Sequence, residues 1–218
     1  PDGRTIVHTS GPGGPLLSRT RDQLTFTPVE GTAGAQAPFF SPDGRYVGFF
    51  STGRLLYVPV EGGPPTVLLD SLPGPIAASW GDDGFVYYEA PVTFDGLRRM
   101  RAERGAATER VSTRDTAASE ADHMLPEALP GGKGVLAQVS YVNGRSAIGV
   151  IETGSGRHRV LVEGTRARYL ASGHLVYATI DGKLWAVPFD VGSLTTSGAP
   201  VQVGEGLGLT MVGPVDFA

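Results

Sequence analysis

The sequence predicts an all-β fold, a β-propeller of four-stranded blades with about five blade repeats. Three observations predict it. A Gly-centred turn returns about every forty residues, and four short strand-like segments fit inside each interval. The 218 residues also hold 32 Gly and 17 Pro beside an apolar share of 40%. So much Gly and Pro without a collagen period means either disorder or a turn-dense fold, and the apolar share decides for turns.

The turn is met first as Pro1-Asp2-Gly3-Arg4. It returns as Ser41-Pro42-Asp43-Gly44-Arg45, Trp80-Gly81-Asp82-Asp83-Gly84, Leu129-Pro130-Gly131-Gly132-Lys133-Gly134 and Ala171-Ser172-Gly173-His174. Pro at the second and Gly at the fourth position suit a type I turn, and an Asp between them bonds the neighbouring backbone. The second interval shows the order best: residues 37–41, the turn, 45–50, 54–60, the punctuation Glu61-Gly62-Gly63-Pro64, then 66–70. Its third segment, Arg54-Leu55-Leu56-Tyr57-Val58-Pro59-Val60, is answered by Lys183-Leu184-Trp185-Ala186-Val187-Pro188-Phe189. Pro cannot donate to a sheet ladder, so Pro59 and Pro188 are expected at a strand end or beside an edge.

Whole blades are expected at 35–70, 75–111, 122–162 and 166–203, all within one domain covering 1–218. A fifth blade is split between 4–29 and 212–218, the latter patterned as an innermost strand that pairs, at 213–217, with the strand at 4–9. Both ends read as cut. The chain is then either a closed ring of five or a fragment of a larger propeller of six blades or more.

Composition narrows the partners. Lys plus Arg number 18 against 22 Asp plus Glu, a formal charge of −4 with no basic block, so nucleic acid is not an expected partner. No apolar stretch approaches the roughly 18–20 residues that cross a bilayer, so direct membrane insertion is not expected either. The absence of Cys excludes disulfides and thiolate metal sites.

Several segments together resemble a known family. They are Asp22-Gln23-Leu24, Pro38-Phe39-Phe40-Ser41-Pro42-Asp43-Gly44-Arg45, Val58-Pro59-Val60-Glu61-Gly62-Gly63, Ala78-Ser79-Trp80-Gly81, Leu129-Pro130-Gly131-Gly132-Lys133 and Ser172-Gly173-His174-Leu175-Val176-Tyr177. In order and spacing they resemble the TolB-like, WD40-like propeller region found C-terminal to many bacterial serine/threonine protein kinases. The resemblance covers essentially the whole chain. It implies a non-catalytic sensory or binding module, carried after a kinase domain and commonly a membrane-spanning helix, on the extracytoplasmic side. The kinase itself is not in this sequence, which has no Gly-rich loop with Val-Ala-Ile-Lys, no HRD and no DFG. Arg98 stands where such repeats often carry Trp, and the loop at 112–122 is long and polar. The alternatives are a propeller hydrolase or lyase and a TolB-type periplasmic partner protein.

Candidate site residues follow from the repeat. Gln36, His123, Arg166 and Arg168 lie at or near the starts of innermost strands, which line the mouth of a propeller's central channel. They are the expected ligand-binding residues, for a protein, a peptide or a small anionic ligand that Arg clamps bidentately. No catalytic residue, cofactor or metal is expected. Asp2, Asp43, Asp82 and Asp83 are explained by their turns, whereas calcium needs six to eight oxygens converging in one place. Of the four His, no two share a short metal-ligand spacing, and His8 and His158 are expected on strands facing solvent. Ser10, Ser18 and Ser140 lack a G-x-S-x-G context. Asp70, Asp95 and Glu120, the carboxylates to test for glycoside cleavage, fall mostly in loops where solvation accounts for them. Trp80 and Trp185 read as packing residues.

Overall fold

The computed structural model describes residues 3–72, 77–89 and 96–207, and the backbone of 209–210 and 213–214. Among the described residues, every regular element except one short 3-10 turn at Pro130–Gly132 is a strand. Blade one holds β1 (Thr5–Thr9), β2 (Leu16–Thr20) and β3 (Thr27–Pro28). Blade two holds β4 (Gln36–Phe40), β5 (Tyr46–Ser51), β6 (Arg54–Pro59) and β7 (Thr66–Leu69). Blade three holds β8 (Ala78–Trp80), β9 (Phe85–Glu89), β10 (Leu97–Arg101) and β11 (Thr108–Arg110). Blade four holds β12 (Glu120–Ala128), β13 (Gly134–Tyr141), β14 (Ser146–Glu152) and β15 (His158–Glu163). Blade five holds β16 (Arg166–Leu170), β17 (His174–Ala178), β18 (Leu184–Asp190), β19 (Thr195–Thr196) and β20 (Val201–Gly204), with both β19 and β20 pairing β18. All pairings are antiparallel between sequential strands save that of β18 with β20, the meander of a propeller.

Hairpin chemistry shows why the strands turn where they do. Gly44 N–H donates to Ser41 O at 2.9 Å with Gly44 at φ 69°, while the Asp43 carboxylate accepts Ser41 Oγ–H at 2.6 Å and Arg45 N–H at 3.1 Å. These bonds, the Ser41 hydroxyl first, hold the Asp43 carboxyl below the usual carboxylate range. The next turn repeats the design, with Phe85 N–H on Asp83 Oδ1 and Tyr87 O–H on Asp83 Oδ2. Asp2 lies outside the described residues.

The core lies between blades, and strand alternation puts it there. Val47, Phe49, Leu56 and Val58 face blade one and meet Leu16 and Val29, whereas Phe50 and Leu55 face blade three and meet Val86, Tyr88 and Met100. Tyr87, Leu97 and Val111 meet Val135, Ala137 and Ile151 across the next interface. Leu136, Ile148 and Val150 then meet Leu175, Tyr177 and Val187 of blade five. Because blades two to four are covered on both faces, their middle strands read as nearly unbroken apolar runs. Each fully buried Leu, Val or Phe contributes about 1.5–3 kcal/mol. Trp80 stacks on Tyr46 and meets Tyr57 edge-on, and Trp185 packs against the cluster of blades four and five.

The first strands of blades two to five, β4, β8, β12 and β16, are successive neighbours. This brings distant segments to one axis. Toward the C-terminus β21 (Leu209–Thr210) pairs with β22 (Gly213–Pro214) in a short hairpin. Residues 213–214 thus pair with this neighbouring segment and not with β1 as expected, and the rest of the expected closing strand, 215–217, lies outside the described residues.

Candidate functional site

Two innermost strands carry a kink, in β4 near its start and in β12 past its middle. In β4 the register slips between Gln36 and Phe39, with Ala37 at φ 46°; in β12 it slips between Met124 and Glu127, with Leu125 at φ 51°. A non-Gly residue in the left-handed region is held there by its surroundings. At Leu125 the holder is visible: its N–H donates to Glu89 Oε1 of blade three at 2.5 Å.

Around this kink the structure assembles a charged layer. Burial, and then the nearby Asp122 carboxylate, push the Glu89 carboxyl up to about 7, against the opposing pull of the Leu125 N–H and Arg166. Arg168 Nη1 pairs with Glu127 Oε2, and Arg166 acts on the same carboxylate from nearby. Burial still raises Glu127 overall. Arg166 and Arg168 occupy alternate positions of β16 and so share a face, which the two-residue strand period predicts. Their carboxylate partners Glu89 and Glu127, with Asp122 beside Glu89, were missed from the sequence, since they come from other blades. Gln36 is exposed, pairs with Phe50 through the backbone and stands two blades away.

His123 has a different setting. It is 0% exposed, with Nδ1 at 2.8 Å from Ser112 Oγ and Nε2 at 3.2 Å from Glu120 Oε2. Its ring meets that of His158 edge-on at 4.6 Å, and His158 Nε2 lies 2.8 Å from Glu120 Oε1. His158 therefore does not face solvent as expected: its side chain is 16% exposed and turned onto Glu120, while the next residue, Arg159, reaches the opposite way to Ser193 O. Glu120 is likewise no solvated loop carboxylate. It is 4% exposed, placed by the turn at 115–120, where Asp115 N–H donates to Glu120 Oε2 at 2.5 Å. Burial pushes this carboxyl up, but the Asp115 N–H and His158 outweigh it and hold it low. Burial, and then the His158 charge, lower His123, against the attraction of Glu120. Ligand-type atoms of Glu120, His123 and His158 all lie within 4.8 Å of one another.

Of the other carboxylates, Asp70 forms an exposed ion pair with Arg54, and Asp95 lies outside the described residues. His8 is exposed on β1, with its ring against Phe26.

The fold and these clusters define a β-propeller with a charged layer at its inner strands. No protein-family profile and no curated relative matches the sequence. Solved structures do match. TolB from Acinetobacter baumannii superimposes with a TM-score of 0.67 at 12% identity, over 88% of this chain and 49% of that one. A candidate TolB from Agrobacterium tumefaciens gives 0.68 at 16% identity, over 94% and 80%. A candidate 6-phosphogluconolactonase from Bacteroides uniformis gives 0.58 at 15%, over 94% and 70%. The chain thus has a TolB-like propeller fold and spans about half the length of the Acinetobacter protein. One fold hosts many functions, so the likeness carries the architecture.

Proposed function

We propose that this chain is a non-catalytic binding module, the propeller part of a bacterial serine/threonine protein kinase, which takes a protein, peptide or small anionic ligand at its inner-strand mouth. The observation behind it is the layer of Arg166 and Arg168 with Glu89, Asp122 and Glu127. Replacing a part-buried ion pair with apolar residues is often neutral or stabilising, so such a layer is poorly explained by stability and well explained by recognition. Gln36 extends the same mouth across blade two. His123, being enclosed, supports this surface from below. The kinase linkage rests on the motif order in the sequence, and an extracytoplasmic setting goes with it.

Calorimetric screening of acidic peptides and carboxylate metabolites tests the binding site. A hit should weaken with salt and lose about tenfold or more on Arg166→Ala with Arg168→Ala. A hit left intact by the double change would place the site elsewhere. Reading the coding sequence upstream of Pro1 tests the setting: a kinase domain and membrane helix support it, and a signal peptide would replace it with a TolB-type periplasmic partner.

A second reading, a propeller hydrolase or lyase, is favoured by one observation. A carboxyl held near 7 beside a second carboxylate is suited to general acid catalysis, as Glu89 is beside Asp122. Turnover of esters, lactones or glycosides that is lost in Glu89→Gln would establish it.

A further inference from the structure

We propose that Glu120, His123 and His158 form a binding site for one zinc-class divalent ion, which ties the innermost strand of blade four to its outermost strand.

The donor set is two imidazole nitrogens and a carboxylate, and the two Nε2 atoms are aimed at the same carboxyl group, at 3.2 and 2.8 Å. Zinc bound at about 2.0–2.2 Å in tetrahedral geometry sets its ligand atoms roughly 3.3 Å apart. The observed spacings need only a small opening to admit the ion. Imidazole donors select zinc and its transition-metal neighbours, while magnesium and calcium require oxygen shells that this site does not supply.

The surroundings match a metal site beyond its ligands. Imidazole that ligates through Nε2 carries its proton on Nδ1 and needs an acceptor there. Ser112 Oγ lies 2.8 Å from His123 Nδ1 and is itself fixed by Leu97 N–H at 3.0 Å. Asp115 N–H fixes the Glu120 carboxylate in the same way. His123 and Glu120 are buried and preorganised, whereas the His158 side chain is 16% exposed. Glu120 and His123 lie on β12 and His158 on β15, so the ion cross-links the two edges of one sheet.

The test uses the full chain without a polyhistidine tag, stripped by chelator and titrated with zinc by calorimetry, with cobalt as a spectroscopic substitute. One ion per chain is expected, with the intense visible absorption of tetrahedral cobalt and a melting temperature that rises with zinc. His158→Ala should weaken binding by at least about tenfold and abolish the zinc-dependent rise in melting. Ser112→Ala, which removes the partner of Nδ1 together with the acceptor of the Leu97 N–H, should also weaken it by about tenfold. His174→Ala, on β17 of blade five, should change nothing. If His123→Ala fails to fold, His158→Ala and Ser112→Ala decide. Absence of zinc binding, binding that survives His158→Ala, or equal affinity for magnesium would overturn the proposal. In each of those cases the three side chains are a hydrogen-bonded cluster alone.

Discussion

Replacing Glu89 with Gln should make the protein more stable in a way that grows with pH. In the folded chain the carboxyl is held at about 7 by burial and by Asp122, against an ordinary 4.5. Below the ordinary value both folded and unfolded chains carry the proton, and the site has no pH-dependent effect. Between 4.5 and about 7 the unfolded chain releases its proton while the folded chain retains it, so stability falls as pH rises. Above about 7 the full cost is present. Since one pKa unit corresponds to about 1.4 kcal/mol, that cost is roughly 3 kcal/mol. Gln keeps an oxygen for the Leu125 N–H and has no charge to bury, so Glu89→Gln removes the cost. Urea unfolding of both proteins across pH 4 to 8 measures it. The difference should be small at the acid end and reach roughly 3 kcal/mol at the alkaline end in favour of the variant. A difference that is flat with pH, or that runs the other way, would refute the view that Glu89 is buried at the cost of its charge.

Three further outcomes are expected. Phe49→Ala empties a position 1% exposed between blades one and two and should cost about 3–5 kcal/mol by denaturant unfolding. Gly96 sits at φ 104°, and an added Cβ would stand 2.6 Å from Ser112 Oγ; Gly96→Ala should therefore destabilise by about 1–3 kcal/mol and also disturb the His123 environment, visible as a shifted imidazole resonance. The Arg145 and Glu163 pair is exposed on both sides, 65% and 73%, so Glu163→Gln should change stability by less than about 0.5 kcal/mol. A larger loss there would mean that this edge is more ordered than its exposure indicates.

What was legible in the sequence was local. The Ser41-Pro42-Asp43-Gly44 turn, the alternation of β5 and β6, and the match between Arg54–Val60 and Lys183–Phe189 depend on residues a few positions apart, whose hydrogen bonds and sterics act within the hairpin itself. Repeated at a regular interval, they define the propeller, because one such hairpin pair cannot bury its two apolar faces alone. The starts of innermost strands were legible for the same reason, which is why Arg166 and Arg168 could be named.

What those residues meet was decided by tertiary structure. Glu127 is 41 residues from Arg168, Glu89 is 36 from Leu125, and His158 is 38 from Glu120. No spacing rule connects such pairs, since blade stacking and the twist of blade four set their separation. The sequence by itself determined that strands turn, alternate and repeat, because those are nearest-neighbour effects. Only the packed propeller decided that His123 is enclosed, that His158 turns inward and that Glu89 keeps its proton near neutrality, because burial and charge act through space.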